Sequence, residues 1–590
     1  MAVNPRFTAA DYVVFFLTIG LSMSIGIFFA IRERIKKHNT PEHYFLAGRK
    51  LRTIPVAISF VVTFQSSIIY IGMPAEGYVY GTILSFYALG YAMATLFAAL
   101  FIIPVFHPLR LMSVYQYLYI RYGNRYLQMF TLTTGVTYTI FYMGTVTYGT
   151  CVALEVVVGM PLWATILIYT IVTAMYTAGG GIKAVVWTDV FQFVVMVMGV
   201  VVVLIKATNE VGGAAKVCEN AKDRFESIEF GLDPRLRYTV WNLSIGTFTN
   251  FLFLTFMQPA MQRIYSTPSS ATARNLYLLS IPGFCIVMVL ATLEGAVIYA
   301  YYVSKQCDVY HAGIVDNING ILPYAVLDIF QDQPGLAGLF IAALSSAVLS
   351  TLSSCLSGLS AITYTDIIKV KYPNINAQTA TSIAKLLVLF YGIVAMGMAF
   401  LCSILPGSIV AAFQALVACL DGPTCAIFLL SVMFRRATTK GLFIGALVGT
   451  ALPLWINFGR MFSDIPTDPM LPNGTTANCP AMLSENDRYV TNASILIYTN
   501  ASMATSAENS NYTPSFMDEF YKISFMLWSL LGFLVTTLVG VIVSLFTSPP
   551  DVVDERCIFS FKKHVLDELF KKESKQDEFN MTEQKKMLSK

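Results

Sequence analysis

Residues 54–81 read IPVAISFVVTFQSSIIYIGMPAEGYVYG, an apolar segment of membrane-spanning length that carries polar side chains in its middle. The polar cluster lies within residues 63–67, and Gly72 and Pro74 follow it. Non-helical backbone at membrane depth is tolerated only where it lines a cavity or is buried in protein. The segment therefore predicts a helix that breaks near residues 63–67 and leaves carbonyl oxygens free at the break.

A second segment carries more hydroxyl groups than a lipid-facing helix needs. Residues 343–361 read ALSSAVLSTLSSCLSGLSA, and five of the serines follow steps of four and three residues. On a helix this spacing forms one stripe, which is typical of a packing seam whose hydroxyls bond to carbonyls of the preceding turn. Ser350 and Thr351 have a second interpretation, because adjacent hydroxyls beside free carbonyls form an oxygen cage suited to a hard cation such as sodium.

The whole chain has the composition of an all-α polytopic membrane protein. It has 590 residues, a mean hydropathy of +0.62 and only 13% charged residues. The first apolar run lacks a basic flank and a small-residue cleavage site, so we interpret it as a retained helix. The apolar runs predict thirteen spans, at residues 11–31, 54–75, 83–105, 127–157, 161–179, 185–207, 241–262, 276–302, 336–363, 382–403, 408–433, 441–459 and 523–547.

The distribution of positive charge predicts an extracellular N-terminus and a cytoplasmic C-terminus. In this orientation 28 of the 39 lysines and arginines lie inside and 11 lie outside. The loop 460–520 then lies outside, as the acceptors of N-linked glycans must. Its four N-x-S/T motifs predict glycosylation at Asn473, Asn492, Asn500 and Asn511.

Acidic residues within the spans suggest functional sites, and each has more than one interpretation. Asp189 either belongs to an ion path or pairs with Lys183 or Arg263. Asp421, near the middle of span eleven, either binds a cation or proton, or is protonated and hydrogen-bonded. Glu294 is expected to be satisfied between helices.

The sequence holds no catalytic constellation. It contains no HExxH, G-x-S-x-G or Walker motif, and the GGG at residues 179–181 is a turn because no strand precedes it. These features argue against an enzyme and against a bound cofactor. Of the ten cysteines, Cys218, Cys307 and Cys479 fall in predicted outer loops, where a disulfide can join a pair that the sequence does not identify.

Four segments resemble motifs of the sodium:solute symporter family, and the resemblance covers about residues 10–545. YFLAGRKL at 44–51 resembles the motif before the family's first core span, and YTAGGGIKAVVWTDVFQ at 176–192 resembles its most specific signature. QPAMQRIYS at 258–266 resembles the end of the family's span seven, and LSTLSSCLSGLSAITYTDI at 349–367 its sodium-site helix.

Further details resemble one branch, that of the iodide, monocarboxylate and multivitamin symporters. DPRLRYTVW at 233–241 resembles a motif of this branch, and TFQS at 63–66 is closest to the multivitamin type. Three features depart from the family pattern: Ile69 replaces a glutamine, Phe253 replaces a tyrosine of the sugar transporters, and GPTCAIFLLS at 422–431 replaces GPxxGxFxLG. The resulting pocket is less polar and suits an organic anion better than a sugar.

The resemblance implies the LeuT-type fold, in which two five-helix repeats of inverted topology enclose a site at the membrane midplane. We expect six regions along the chain: 1–53, an extracellular N-terminus with one extra helix and a cytoplasmic loop; 54–207, the first repeat; 208–240, an extracellular loop; 241–433, the second repeat; 434–547, two helices with the glycosylated loop 460–520; and 548–590, a cytoplasmic tail.

The resemblance also assigns site residues. The sodium ion is expected to bind the carbonyls of Val62, Gln65 and Ala347 and the hydroxyls of Ser350 and Thr351. A possible second cation path passes Asp189 and Ser354. Substrate contacts are expected from Phe64, Ser66, Ile69, Asn250 and Phe253.

These assignments predict a plasma-membrane symporter that couples sodium to the import of monocarboxylates or carboxylate vitamins such as biotin or pantothenate. Its partners would be the cargo, sodium and the lipid bilayer, without nucleic acid and without a cofactor. The alternatives are an inorganic anion such as iodide as the cargo, or a sodium-gated sensor or channel on the same fold. The oligomeric state and the exact cargo do not follow from the sequence.

Overall fold

The computed structural model describes residues 7–35, 40–315, 317–404, 407–463, 465, 470–479, 516–548 and 554–560, and these are helical without any β-strand. The α-helices are, in chain order, α1 (Ala9–Ile35), α2 (Pro41–Leu46), α3 (Thr53–Phe64), α4 (Ser67–Tyr80), α5 (Tyr87–Phe97), α6 (Ile103–Phe106), α7 (Gln116–Tyr122), α8 (Arg125–Val158), α9 (Leu162–Val211), α10 (Ala214–Asn220), α11 (Lys222–Glu226), α12 (Val240–Phe256), α13 (Gln258–Tyr265), α14 (Ser270–Ser304), α15 (Ile321–Ile329), α16 (Leu336–Ile362), α17 (Lys369–Lys371), α18 (Ala377–Ile404), α19 (Gly407–Met433), α20 (Thr439–Met461), α21 (Phe516–Tyr521) and α22 (Trp528–Phe546). Short π-helical segments connect α5 to α6 and α16 to α17.

The long helices coincide with the predicted spans. In the described part of the chain, eight helices are long and apolar enough to cross a membrane, or ten if the bent pairs α3/α4 and α12/α13 are each one span. Helices α8 and α19 also have the necessary length, with 34 and 27 residues. Each of the thirteen predicted spans overlaps one of these elements or one half of α9, and the number of crossings itself stays a prediction.

Helix α9 is divided at Gly181. Its 50 residues would extend about 75 Å, more than twice the thickness of the hydrocarbon core. The backbone angles of Gly181 are φ 58° and ψ −158°, and a Cβ atom there would lie 2.5 Å from the carbonyl oxygen of Tyr44. Only glycine fits this position easily. The break ends the glycine triplet that the sequence predicts as a turn between spans.

The first broken span bends by 59° where α3 meets α4. Gln65 (φ −96°, ψ 75°) and Ser66 (φ −76°, ψ 166°) leave the helical conformation, inside the interval that the sequence predicts. This break places the ends of two half-helices at the centre of the protein.

The second broken span bends by 58° at Met257, between α12 and α13. The apolar pattern predicts one continuous span here, at residues 241–262. Pro259 explains the difference, because it has no amide for the carbonyl of Thr255 and its ring would clash with that carbonyl in an unbroken helix.

Helix α16, which carries the serine stripe, lies at the centre of the molecule. In the most apolar 18-residue stretch of this helix 94% of the residues are buried, compared with 28% in the most apolar stretch of α1 at the periphery. It packs against α1, α3, α8, α9 and α18. The stripe therefore faces protein and not lipid.

A disulfide between Cys307 and Cys479 joins two loops and selects one of the pairings that the sequence left open. Cys218 is free and exposed. Beside the disulfide, Asp308 accepts a hydrogen bond from the hydroxyl of Tyr78 at 2.8 Å and from the amide of Gly474 at 3.0 Å. These bonds hold the segment 470–479 against the end of α4.

Candidate functional site

The break between α3 and α4 presents backbone oxygens that lack backbone donors. Within the described residues, no backbone amide donates to the carbonyls of Thr63, Phe64 or Gln65, whereas the carbonyl of Val62 accepts from the amide of Gln65 at 3.2 Å. All four residues are buried. Because an unpaired buried carbonyl is costly, a cation coordinated by these oxygens would stabilise the break.

Helix α16 brings hydroxyl groups against this break. The hydroxyl of Thr351 donates to the carbonyl oxygen of Thr63 at 3.4 Å, and the hydroxyl oxygens of Thr63 and Ser354 are 3.0 Å apart. Ala347 lies one turn before Thr351 and is buried. The oxygens predicted to bind sodium therefore come from two elements in direct contact.

Within the described part of the chain, Ser350 is the hydroxyl in this group that lacks a hydrogen-bond partner. Its Oγ is buried and has no partner among the described residues, and the side chain lies near Asp189. The contact of Thr351 with Thr63 adds a carbonyl that the sequence analysis did not include. The available signal was the polar character of Thr63 itself, in the middle of an apolar span.

An ion pair between Asp189 and Arg263 lies fully buried beside the break. The guanidinium donates to Asp189 Oδ2 at 2.8 Å, and both side chains are 0% exposed. Arg263 also donates to Ser354 at 2.7 Å and to Ser59 at 2.9 Å, while Ser59 donates to Asp189. The pair thus connects α3, α9, α13 and α16.

This geometry shows which partner Asp189 takes. Asp189 pairs with Arg263, whereas Lys183 pairs with Glu33 at 2.8 Å. A cation on the predicted path past Asp189 and Ser354 would meet the guanidinium that already binds both side chains. Oδ1 of Asp189 is the carboxylate oxygen left without a partner among the described residues.

The other serines of α16 form a packing seam. Ser345 and Ser346 donate to carbonyls four residues earlier, and Ser353 donates to the carbonyl of Ser350. Ser360 donates across to the carbonyl of Ala384 on α18. The packing interpretation therefore holds for these hydroxyls.

The predicted substrate residues on the first broken span surround its centre. The ring of Phe64 packs on Phe251 of α12 at 5.9 Å, and Ser66 lies next to Tyr142 of α8. Ile69 is only partly buried, and its neighbour Ile68 is 43% exposed although it lies near the centre of a broken span. The first turn of α4 therefore has an open side, and the residues exposed there are apolar.

The predicted residues on α12 contact α8 and α19. The ring of Phe253 lies 4.9 Å from that of Tyr138, and the amide of Asn250 donates to Asp421 Oδ2 at 2.7 Å. Asp421 is buried, and the hydrogen bond that it accepts from Asn250 is common to both of its interpretations. Glu294 differs from the expectation, because both of its carboxyl oxygens are buried without a hydrogen-bond partner among the described residues.

The donor set suits a hard monovalent cation. Among the described residues, no group of three or more His, Cys, Asp or Glu side chains is arranged to hold a metal ion. The break instead offers neutral carbonyl and hydroxyl oxygens, which hard cations prefer as ligands.

Comparisons with known proteins show which proteins this chain resembles. The family model described as "Sodium:solute symporter family" matches residues 44–449. The chain is 32% identical to the sodium-coupled monocarboxylate transporter 2 of Mus musculus over 92% of this chain and 84% of that protein. It is 32% identical to the human sodium-coupled monocarboxylate transporter 1 (95% and 93% covered) and 33% identical to the human sodium/iodide cotransporter (92% and 85% covered).

A solved structure supports the same fold. A substrate-bound, outward-open Na⁺-coupled sialic acid symporter superimposes with a TM-score of 0.70 and 21% identity, over 92% of this chain and 99% of that one. The predicted LeuT-type architecture is therefore confirmed.

Proposed function

This chain belongs to the sodium:solute symporter family, and from that premise we propose that it imports small organic anions across the plasma membrane together with sodium. It is a multi-pass membrane protein and a sodium-coupled solute symporter. The proposal adds the cargo class, the binding residues and the orientation. We further propose that the protein catalyses no covalent reaction and carries no cofactor.

We propose that sodium binds between the first break and α16. Its ligands are the carbonyls of Val62, Gln65 and Ala347 and the hydroxyls of Ser350 and Thr351. The single observation that carries this assignment is the contact of Thr351 with the break, beside carbonyls that lack backbone donors. The carbonyl of Thr63 is a further ligand in this proposal, since Thr351 already lies against it.

The cargo is proposed to bind on the open side of the same break. The first amides of α4 lie at the positive end of a helix dipole, which favours a carboxylate. Phe64 and Phe253 provide apolar walls, and Ser66, Ile69 and Asn250 complete the lining. This mixture of one anion-binding end and aromatic sides supports a monocarboxylate or a carboxylate vitamin over a sugar.

A second cation path past Asp189 and Ser354 stays part of the proposal in a restricted form. It requires Arg263 to release one of its two partners, because the guanidinium binds both in this structure. Oδ1 of Asp189 and the hydroxyl of Ser350, which have no hydrogen-bond partner among the described residues, are the atoms available to such an ion.

We propose that the N-terminus is extracellular and the C-terminus cytoplasmic. The disulfide Cys307–Cys479 supports this orientation, because disulfides persist in oxidising compartments and both cysteines lie in loops predicted to be outside. Asn473 is exposed in the same loop segment and stays a predicted glycosylation site. The other three predicted sites, Asn492, Asn500 and Asn511, lie outside the described residues.

Sodium drives the cycle in this proposal. Binding at the break satisfies its free oxygens and orders the adjacent cargo site, and movement of the two repeats then exposes both ligands to the cytoplasm. Each net positive charge that enters down 100 mV, as when two sodium ions accompany one monovalent anion, supplies about 2.3 kcal/mol, which corresponds to roughly fifty-fold accumulation.

The test is uptake of labelled acetate, lactate, pyruvate, biotin and pantothenate by cells that express the protein, in sodium and in choline medium. We expect sodium-dependent accumulation of at least one acid and a lower apparent sodium affinity in Ser350→Ala and Thr351→Ala. Ser346→Ala is the matched control, because its hydroxyl donates to the carbonyl of Ala342 within α16. Equal uptake in choline medium, or wild-type sodium affinity in both variants, would refute the proposal.

Two alternatives are tested in the same cells, one by tracer uptake and one by current recording. The relative named as a sodium/iodide cotransporter favours an iodide arm, and sodium-dependent uptake of labelled iodide without uptake of any acid would replace the organic cargo. Sodium-dependent currents without accumulation of any tracer would indicate a sensor or channel.

A further inference from the structure

A buried carboxylate lies in the wall of the proposed cargo site. Asp421 on α19 is 2% exposed, and its Oδ2 accepts a hydrogen bond from Asn250 at 2.7 Å. Oδ1 is buried and has no hydrogen-bond partner among the described residues. Burying a carboxylate oxygen without a hydrogen bond costs free energy, because the oxygen loses its water. A donor group placed beside the oxygen removes this cost.

The surroundings of Asp421 connect it to the proposed cargo site. Asn250 is only partly buried, so the bonded pair borders accessible space. Tyr138 lies near Asp421, and its ring packs on Phe253 at 4.9 Å and on Tyr142 at 6.0 Å.

The same tyrosines lead back to the first break, since Tyr142 lies next to Ser66 at the start of α4. The site therefore has two polar ends of opposite character. One is the positive end of α4, which favours an anion, and the other is the carboxylate of Asp421.

We propose that Asp421 selects a carboxylic acid that carries a second, donor group, either ammonium or hydroxyl. This inference rests on the proposed function and narrows its cargo class. The carboxylate of the cargo binds at the start of α4, and the donor group binds Asp421 Oδ1. A plain acid of the same length leaves Oδ1 unpaired, and sites built to bond a cargo hydroxyl or amine reject analogues that lack it.

The opposite assignment makes a different prediction. If Oδ1 carried a proton, Asp421 would itself donate to the carboxylate of a plain acid, and Asp421→Asn would keep that bond through its amide. A preference for plain acids that survives in the asparagine variant would therefore overturn the inference.

The experiment measures sodium-dependent uptake of two matched sets of labelled acids, normalised to protein at the cell surface. The first set is propionate, lactate and alanine, and the second is butyrate, 4-hydroxybutyrate and 4-aminobutyrate. In at least one set we expect a donor-bearing acid to exceed the plain acid by about tenfold or more in uptake efficiency, as the loss of a bond to a charged group predicts. The hydroxyl and amine arms distinguish the two donor groups.

The variants test whether Asp421 is the cause. Asp421→Asn and Asp421→Gly are expected to reduce the preference to about threefold or less. Asp332→Asn, an exposed acid far along the chain, is the control and should keep the preference. If a variant does not reach the surface, the wild-type ratio alone decides.

Different results would overturn the role of Asp421 and the proposed cargo class. Equal or better uptake of the plain acids in both sets overturns the role of Asp421 and leaves the organic-anion symporter intact. Absence of sodium-dependent uptake for all six acids and for the vitamins overturns the proposed cargo class itself.

Discussion

The two broken spans bend by almost the same angle, 59° and 58°, yet their polar groups have different surroundings. At the first break, the carbonyls of Thr63, Phe64 and Gln65 receive no backbone amide from the described residues. The side-chain amide of Gln65 is also buried and has no hydrogen-bond partner among the described residues. This break is open to an additional ligand.

At the second break, the two glutamines and the arginine of α13 form hydrogen bonds with neighbouring segments. Gln258 accepts from the amide of Val114 at 3.0 Å and donates to the carbonyl of Met112 at 2.7 Å. Gln262 donates to the carbonyl of Phe45 at 2.8 Å. Every residue of α13 is buried, and Arg263 completes the anchorage through its ion pair.

The difference shows that a bend alone does not make an ion site. Both breaks interrupt a helix at the centre of the protein, and at both some carbonyls receive no backbone amide from the described residues, those of Thr255 and Phe256 at the second. The first break differs because the hydroxyl of Thr351 on a neighbouring helix lies against its carbonyls, so oxygens from two elements come together there. At the second break, hydrogen bonds and an ion pair hold α13 against three neighbouring segments. The following predictions separate the open break from the anchored one.

The largest effect is expected from breaking the ion pair of the anchored helix. Arg263→Ala leaves Asp189 buried without a counter-charge, which typically costs about 3–5 kcal/mol. Thermal unfolding in detergent measures this loss, together with the amount of protein at the cell surface. The double variant Asp189→Asn, Arg263→Gln removes both charges and should be more stable than Arg263→Ala. Equal or lower stability of the double variant would contradict the role given to the pair.

Sodium should stabilise the protein through the open break only. Ligand at about one hundred times its dissociation constant adds about 2.7 kcal/mol to the free energy of unfolding. We therefore expect the unfolding temperature to rise with sodium chloride relative to choline chloride in the wild type. The rise should shrink strongly in Thr351→Ala.

The anchored break supplies the control for that measurement. Gln258→Ala should keep the sodium-dependent rise, because its side chain lies at the other break. A rise that disappears in Gln258→Ala and persists in Thr351→Ala would reverse the assignment of the two breaks.

A smaller effect is expected on the baseline stability of Gln258→Ala. The substitution removes two bonds and leaves the amide of Val114 and the carbonyl of Met112 unpaired, at a cost of about 1–3 kcal/mol. Denaturation in choline chloride measures this change without the contribution of sodium. An unchanged midpoint would show that water replaces the glutamine and that this break is less anchored than its contacts indicate.

The polar residues at 63–67 predict the first break, and the second is absent from the predictions although Pro259 is a visible signal for it. The side chains that anchor the second break are harder to predict. Polar residues in the middle of an apolar span are visible in the sequence, whereas Gln258 and Arg263 stand near a span end, where polar residues are ordinary. Their burial depends on contacts with residues distant in sequence, such as Met112 and Asp189. The same limit applies to Thr63, whose carbonyl meets Thr351 only in the assembled protein.

The smallest effect is expected at Gln65, and it bears most directly on the open break. Its carbonyl belongs to the proposed sodium site, but its side-chain amide has no partner among the described residues. Replacing an unpaired buried amide by an apolar group of similar size is nearly neutral or slightly stabilising. Gln65→Leu should therefore change the free energy of unfolding in choline chloride by about 1 kcal/mol or less, in contrast to Gln258→Ala. If Gln65→Leu instead lowers the sodium-dependent rise as much as Thr351→Ala does, the amide oxygen is itself a sodium ligand, and the ligand set must include a side chain from the break.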